Sequence, residues 1–250
     1  MGKVFVCGDV HGDLDIAKLN KFARGDGASL TKEDFVVVAG DMGIVWSTDQ
    51  NSVRELILRD RYEEYPWTTL FIDGNHENFH RLRTEFYPRY ESRVEGVVTP
   101  ITEHVWHLQR GSMYNLHGHN VYCFGGGVSI DADRRTQGVT YWLEELPSFM
   151  EMKLGMDVLR KKGESVDYVI THCPPQSVMA QVFATLKLHG GGEHPRSLLE
   201  KPFREYLDEV IRMTPNRKGW FFGHMHIDQD YHVDFDVFSG LYNQQPVQLL

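Results

Sequence analysis

Cysteine is scarce in this chain of 250 residues, and the few cysteines form no metal-binding pattern. They are Cys7, Cys123 and Cys173, an odd number with no CxxC spacing, and each lies in or beside an apolar run. A thiolate-rich structural zinc site would need more cysteines than this. The pattern favours a reduced cytosolic protein with small buried thiols over a disulfide framework.

The chain also lacks a long apolar run and an excess of basic residues. No stretch approaches the roughly 20 apolar residues of a membrane span, and the N-terminus shows no signal-peptide pattern. The formal charge is −9, from 26 lysines and arginines against 35 aspartates and glutamates. This charge argues against the phosphate attraction that basic nucleic-acid binders use, although bound divalent metals would make a local site positive. We expect a cytoplasmic protein that binds neither membranes nor nucleic acid.

Length and composition are sufficient for one large core. With 250 residues and 41% hydrophobic content, we expect one α/β domain over residues 1–250. No internal repeat or low-complexity tract interrupts the chain, and nothing in it indicates an oligomeric state.

Five apolar runs predict buried strands, and each ends in side chains that can bind metal. The runs cover residues 3–7, 35–39, 69–72, 168–170 and 219–222. The alternation of strands with helices implies that the first three ends share one edge of a parallel-rich sheet. The candidate ligands at the five ends are Asp9, His11, Asp41, Asn75, His172, His224 and His226.

These residue types indicate a site for two metals. A lone histidine is more often a core residue, and a Gly-Asp pair is usually a turn, but five such clusters argue against coincidence. Imidazole and carboxylate ligands suit Mn, Fe or Zn. Seven ligands are too many for one ordinary site, whereas a shared carboxylate would bridge two ions at roughly 3.5 to 4 Å.

The ordered motifs resemble the calcineurin-like metallophosphoesterase superfamily. Its signature of GDxH, GD, GNHE, a single His and GHxH is met by residues 8–11, 40–41, 74–77, His172 and residues 223–226. The resemblance implies a four-layer αββα sandwich of two mixed β-sheets flanked by helices. It also implies two divalent cofactor ions, for which we expect Mn, with Fe or Zn as alternatives.

The resemblance assigns the ligands to two metals that share Asp41. One metal would be held by Asp9, His11, Asp41 and His226, and the other by Asp41, Asn75, His172 and His224. A bridging water or hydroxide would be the nucleophile. The resemblance makes His76 the proton donor to the leaving oxygen, which suits an imidazole near neutral pH. Glu77 is better interpreted as a structural carboxylate that begins the next helix.

A narrower resemblance, to small bacterial and phage metallophosphoesterases, covers residues 124–148. Its pattern is met by Ser129, Asp131, Arg135, Trp142 and Glu145. A guanidinium fits phosphate oxygens, so Arg135 is a candidate phosphate contact, with a surface salt bridge as the alternative. Trp142 would stack on a base or sugar, or pack in the core.

The leading hypothesis is a metal-dependent phosphoric ester hydrolase for a small phosphomonoester or phosphodiester, which includes nucleotides. The alternatives are a DNA nuclease of the same superfamily, a protein Ser/Thr phosphatase and a non-catalytic scaffold. Protein phosphatases of this superfamily carry GDxVDRG, but residues 40–46 read GDMGIVW. The DNA nucleases use partners or further domains, and a scaffold would be expected to lack ligands.

Capping-box spacings predict two helices. Ser52 and Glu55 predict one start, with an inner face made by Val53, Leu56 and Ile57. Ser148 and Glu151 predict another, ending near Lys161.

The second half of the chain predicts shorter strands and a long polar loop. Short pieces at 105–108, 113–116 and 120–124 resemble a β meander that starts a second sheet. Residues 176–200 predict a polar loop, interpreted as a flap over the site or as a surface insertion. A helix is expected from about Pro202 to Met213.

Overall fold

A computed structural model describes residues 2–250, which form thirteen strands and six α-helices. The strands are β1 (Val4–Cys7), β2 (Phe35–Val38), β3 (Thr68–Phe71), β4 (Arg89–Glu91), β5 (Gly96–Pro100), β6 (Val105–Leu108), β7 (Ser112–Leu116), β8 (His119–Phe124), β9 (Tyr168–Thr171), β10 (Gly219–Phe222), β11 (Gln229–Val233), β12 (Asp236–Gly240) and β13 (Val247–Gln248). The helices are α1 (Ala17–Arg24), α2 (Val53–Glu63), α3 (Phe79–Thr84), α4 (Phe149–Lys162), α5 (Met179–Leu188) and α6 (Lys201–Met213). No helix within residues 2–250 is both long and apolar enough to cross a bilayer.

The strands form two mixed sheets. The first has the order β13-β1-β2-β3-β6-β5-β4, and β1, β2, β3 and β6 run parallel. The second has the order β11-β12-β10-β9-β8-β7, and β8, β9, β10 and β12 run parallel. Parallel neighbours in each sheet therefore end at a common edge, where the candidate ligands follow β1, β2, β3, β9 and β10.

Three apolar clusters separate four layers. Side chains of both sheets, such as Val37, Leu70 and Ile170, fill the space between the sheets. Phe22 of α1 and other helical residues cover the outer face of the first sheet. Leu207 of α6 packs with neighbours on the outer face of the second. The predicted four-layer αββα sandwich is confirmed.

The meander prediction is wrong for its first piece. β6 joins the first sheet and pairs with β3 in parallel. Its four residues are all buried, as expected for a strand that is covered on both faces. Only β7 and β8 form an antiparallel hairpin, and β8 then pairs with β9 in the second sheet.

The predicted inner face of α2 is also wrong. Val53, Leu56 and Ile57 are exposed, whereas Leu58 and Tyr62 are buried. Ser52 is the N-cap residue but its side chain makes no capping bond. The carboxylate of Glu55 instead turns inward and accepts hydrogen bonds from the backbone N–H groups of Trp46 and Ser47.

Other local predictions agree with the structure. Ser148 and Glu151 form the expected capping box at the start of α4, and α6 runs from Lys201 to Met213. The segment 176–200 is not only loop, because it contains α5. Apolar residues of α5 such as Met179 and Val182 pack in the second outer cluster.

Candidate metal centre

The ends of β1, β2, β3, β9 and β10 bring the candidate ligands together at one edge of the two sheets. The ligand atoms of Asp9, Asp41 and His172 lie within 4.8 Å of one another. Three further groups meet the same limit: Asp9 with His11 and His226, His11 with Asp41 and His76, and Cys173 with Glu200 and His224. Residues from both sheets thus converge, although His224 and Asp9 are separated by most of the chain.

Several of these residues have an unusual backbone conformation. His11, Asp41, His224 and His226 have φ of 48°, 50°, 64° and 52°, in the left-handed region. Each such non-glycine residue costs of order 1 kcal/mol or more and persists only where its surroundings impose it. Four of them among seven candidate ligands indicate that the fold maintains this geometry for a functional reason.

Two glycines permit the close approach of loops to the carboxylates. A Cβ atom at Gly74 would collide with the carboxylate of Asp41, and one at Gly223 would collide with that of Asp9. The glycine of the GNHE motif and the glycine of the GHxH motif therefore keep room for the two central carboxylates.

Asp9 and Asp41 are buried without a lysine or arginine partner among residues 2–250. Their relative exposures are 0% and 2%, and their charged neighbours are histidines. Asp41 accepts hydrogen bonds from the backbone N–H groups of Asn75 (2.7 Å) and His76 (2.8 Å). Burial would raise the pKa of Asp41, but the imidazoles, His172 foremost, hold that pKa well below its usual range. The carboxylate is thus ionised and available to a cation.

Hydrogen bonds orient two imidazoles towards the carboxylates. Nδ1 of His11 lies 2.7 Å from the Asp15 carboxylate, and Nδ1 of His172 lies 2.8 Å from the Ala39 carbonyl oxygen. Each Nδ1–H therefore donates outward, and Nε2 faces Asp41 at 3.3 Å from His11 and 3.5 Å from His172. Carboxylate or carbonyl support of this kind is typical of metal-binding histidines.

The same carboxylates raise the pKa values of both imidazoles. Burial would lower the pKa of His11, but its hydrogen bond to Asp41 and the Asp41 charge raise it to about 9. Burial would also lower the pKa of His172, but the charge of Asp41 raises this pKa to about 10. The two carboxylates thus favour positive charge on the groups around them.

Ser129 orients the amide of Asn75. Nδ2 of Asn75 lies 3.2 Å from Oγ of Ser129, and Oδ1 lies 3.2 Å from Nε2 of His172. The amide oxygen therefore faces the cluster, as a ligand oxygen should.

The last two candidate ligands, His226 and His224, have different contacts. Nε2 of His226 lies 3.1 Å from the Asp9 carboxylate, and its ring stacks on Tyr242 at 4.4 Å. The rings of His172 and His224 lie 4.8 Å apart. Nε2 of His224 instead contacts Glu200 at 2.7 Å, which leaves Nδ1 free for a metal.

His76 lies beside Asp41 and contacts Arg135. Nη1 of Arg135 is 3.0 Å from Nδ1 of His76. Because a guanidinium only donates, Nδ1 accepts and the ring proton resides on Nε2, which lies 3.9 Å from Asp41. Burial lowers the pKa of His76 more than the Asp41 charge raises it, and the Arg135 charge lowers it further.

Arg135 forms the salt bridge that was the alternative to a phosphate contact, and the phosphate contact stays a prediction. It pairs with Asp131 at 2.8 Å, as a salt bridge would, and it also lines the cavity beside His76. Trp142 is 5% exposed, as expected for a residue packed in the core, and part of it lines a neighbouring cavity.

Glu77 is structural, but it does not begin the next helix. Its carboxylate accepts hydrogen bonds from the backbone N–H groups of Met42 (2.7 Å) and Gly74 (2.6 Å), which ties two ligand loops together. Burial, with the charge of Asp41, raises the pKa of Glu77 to about 8. The helix begins two residues later and is capped by Asn78.

The donor set fits two divalent cations. A cavity of about 480 Å³, here named the metal cleft, is lined by Asp41, Asn75, His76, Ser129, Arg135, Glu200, His224 and His226 together with apolar residues of α5. Buried carboxylates, imidazoles with an outward hydrogen bond and an inward amide oxygen are the ligands of first-row divalent metals.

The family model described as calcineurin-like phosphoesterase matches residues 2–228. The chain belongs to this family. Its members are metal-dependent phosphoric ester hydrolases with dinuclear sites. The sequence-based identification of the family and of the enzyme class is thereby confirmed.

Solved structures are similar at low sequence identity. The phosphopantetheinyl hydrolase of Mycobacterium tuberculosis aligns over 100% of this chain and 96% of its own, with 14% identity and a TM-score of 0.48. GAP50, the anchor in the inner membrane complex of Plasmodium, aligns over 96% of this chain and 71% of its own, with 11% identity and a TM-score of 0.50. The latter similarity concerns the fold alone. No curated protein sequence gave a significant match.

Sequence reasoning missed the residues that support the ligands. Asp15 behind His11 and Glu200 behind His224 belong to no motif of the family pattern. Asp15 lies four residues after His11, a spacing that becomes informative only once the loop is known to turn back. Glu200 reaches His224 from the segment 176–200, and no sequence signal connects the two.

Proposed function

We propose that this protein hydrolyses a small phosphomonoester or phosphodiester with two divalent metals, for which we expect Mn. The observation that carries the proposal is the pair of buried carboxylates, Asp9 and Asp41, which lie among imidazoles without a lysine or arginine partner in residues 2–250. Two ionised carboxylates at such close range repel each other unless positive charge lies between them, and two divalent cations would supply that charge.

The proposed ligands form two sets that share Asp41. One metal would be held by Asp9, His11, Asp41 and His226, and the other by Asp41, Asn75, His172 and His224. The supporting geometry is the inward orientation of His11, His172 and Asn75, each fixed by a hydrogen bond on the opposite side. When bound, two such ions polarise a phosphoester and lower the pKa of a water held between them.

His76 and Arg135 act on the phosphoester from the open side of the cluster. Arg135 presents its guanidinium to the metal cleft, where it matches the non-bridging oxygens of a phosphate. A phosphate oxygen competes with Nδ1 of His76 for this donor. Once Arg135 turns to the phosphate, Nδ1 is free to take up a proton and Nε2 to give one to the leaving oxygen.

The direct test is turnover of p-nitrophenyl phosphate and bis-p-nitrophenyl phosphate with added Mn. We expect hydrolysis of at least one ester by the wild type. Failure with both esters and with a panel of nucleotides would contradict the enzymatic proposal.

The His76→Ala variant tests the proton-donor role. We expect kcat to fall on the order of 10²- to 10³-fold, because a positioned general acid contributes about that much, while the chain still binds two Mn ions. His232→Ala, at an exposed position on β11, is the matched control and should retain wild-type turnover. Loss of both metals from His76→Ala would contradict the assigned role.

A further inference from the structure

A second cavity of about 410 Å³ adjoins the metal cleft, with which it shares His76 and Arg135. We name it the Trp cleft. Its lining includes Trp46, Arg54, His76, Arg134, Arg135 and Trp142. Among residues 2–250, only His76 and Arg135 line both this cleft and the metal cleft. The Trp cleft therefore begins where the metal cleft ends, at the proposed proton donor.

This position assigns the cleft to the leaving group. The phosphoryl group of a substrate has to lie among the metal ligands, and its leaving oxygen has to lie within reach of His76. The rest of the leaving group then extends past His76 and Arg135. A volume of about 410 Å³ is within the range of cavities that hold small organic ligands.

The walls of the Trp cleft suit a flat ring. Trp46 is partly exposed, and Trp142 closes another part of the wall. The guanidinium of Arg54 lies over the Trp46 ring, 5.6 Å from its centroid. Indole faces and stacked guanidinium groups bind aromatic rings such as nucleobases by stacking.

The charge of the cleft is opposite to that of the molecule. Three arginines and no carboxylate line it, although the whole chain carries a net charge of −9. Arg54 is paired with Asp13, and Arg135 with Asp131. Arg134 is exposed and forms no ion pair within residues 2–250. Its guanidinium is available to an anionic group of a ligand.

We propose that the Trp cleft selects a leaving group that combines a flat aromatic ring with a negative charge of its own, as a nucleoside phosphate does. The ring stacks on Trp46 and Trp142, and the charge binds Arg134. This proposal rests on the proposed function, because it names the substrate class of the same site.

The test compares release of the 3′-phosphate from adenosine 3′,5′-bisphosphate and from adenosine 3′-monophosphate. The two leaving groups differ by one phosphate, and chromatography of the products identifies which ester is cleaved. We expect kcat/KM to be about tenfold higher for the bisphosphate, because its second phosphate forms one additional charge pair, with Arg134. Arg134→Ala should reduce this preference to less than twofold, whereas Arg160→Ala, an exposed arginine on α4, should keep it.

A second comparison tests the stacking. We expect Trp46→Leu to lower kcat/KM for adenosine 3′-monophosphate about tenfold more than for glycerol 2-phosphate, which has no ring. Equal loss for both substrates would overturn the role of the indole.

The outcomes separate this inference from the function on which it rests. Hydrolysis of nitrophenyl esters without preference for the bisphosphate, or a preference that survives in Arg134→Ala, overturns the assignment of the Trp cleft alone. Absence of hydrolysis with every ester overturns both.

Discussion

Among single residues, the candidate metal ligands are accompanied by side chains that orient them. His11 is oriented by Asp15, Asn75 by Ser129 and His224 by Glu200. Motifs identify ligands because their chemistry is restricted to few residue types. The supporting residues are ordinary carboxylates and hydroxyls, so their roles follow only from the folded contacts.

The hydrogen bond from His11 to Asp15 provides a first prediction. Asp15→Ala should weaken Mn binding on the order of 10- to 100-fold, because the imidazole loses its fixed tautomer and orientation. Titration of metal-free protein with Mn, followed by electron paramagnetic resonance, measures the affinity. Asp26→Ala, at an exposed position after α1, is the control and should bind as the wild type does. Unchanged affinity in Asp15→Ala would argue against His11 as a ligand held by this contact.

Glu145 provides a second residue-scale prediction, on stability. Burial raises the pKa of Glu145 to about 7, against hydrogen bonds from Ser129, whereas an unfolded glutamate has a pKa near 4.5. The folded state therefore binds more protons between these values, and this group's contribution to the free energy of unfolding falls as pH rises through them. Glu145→Gln removes the titration. The variant should match the wild type near pH 4.5 and exceed it by about 2 to 3 kcal/mol at pH 8.

Urea unfolding at several pH values measures this difference. The exposed neighbour offers a matched control, Glu144→Gln, which should show no such pH-dependent gain. A constant difference between Glu145→Gln and the wild type across this range would contradict a buried, protonated Glu145.

Among the structural elements, the loops that follow the parallel strands carry the candidate metal ligands. Gly74 follows β3 and leaves no room for a side chain beside Asp41. We predict that Gly74→Ala displaces the Asp41 carboxylate and lowers bound Mn to less than one ion per chain, as measured by elemental analysis. Gly219→Ala on β10 meets only ordinary contacts, near 3.6 Å, and should keep full metal content. Full metal content in Gly74→Ala would show that the loop can move without loss of the site.

The elements also show which predictions the sequence supports. Continuous apolar runs predicted β2 and β3 within one residue, because a strand buried on both faces has few other compositions. The inner face of α2 was wrong, since Glu55 is buried to bind the backbone at Trp46 and Ser47. A polar residue that faces inward reverses the apparent face of a helix. α5 went unpredicted because its neighbourhood of glycines and polar residues suggested a loop.

At the scale of the whole molecule, two sheets cooperate to build one centre. The first sheet supplies Asp9, His11, Asp41 and Asn75, and the second supplies His172, His224 and His226. The family motifs predicted this assembly, because only a fold that joins the two edges satisfies them together. The clefts on either side of His76 were not predictable, since their walls come from loops without a periodic pattern. The expectation that nucleic acid is not a partner rests on the net charge of −9 and stays a prediction.

We expect one chain to bind two metals that Asp41 bridges. The most direct test of this expectation is electron paramagnetic resonance of the chain loaded with Mn, combined with elemental analysis. We predict two Mn per chain and the signal of a spin-coupled pair, as expected for ions roughly 3.5 to 4 Å apart. Asp41→Asn should lose that coupling. Less than one Mn per chain at near-stoichiometric metal, or two uncoupled ions in the wild type, would contradict the account.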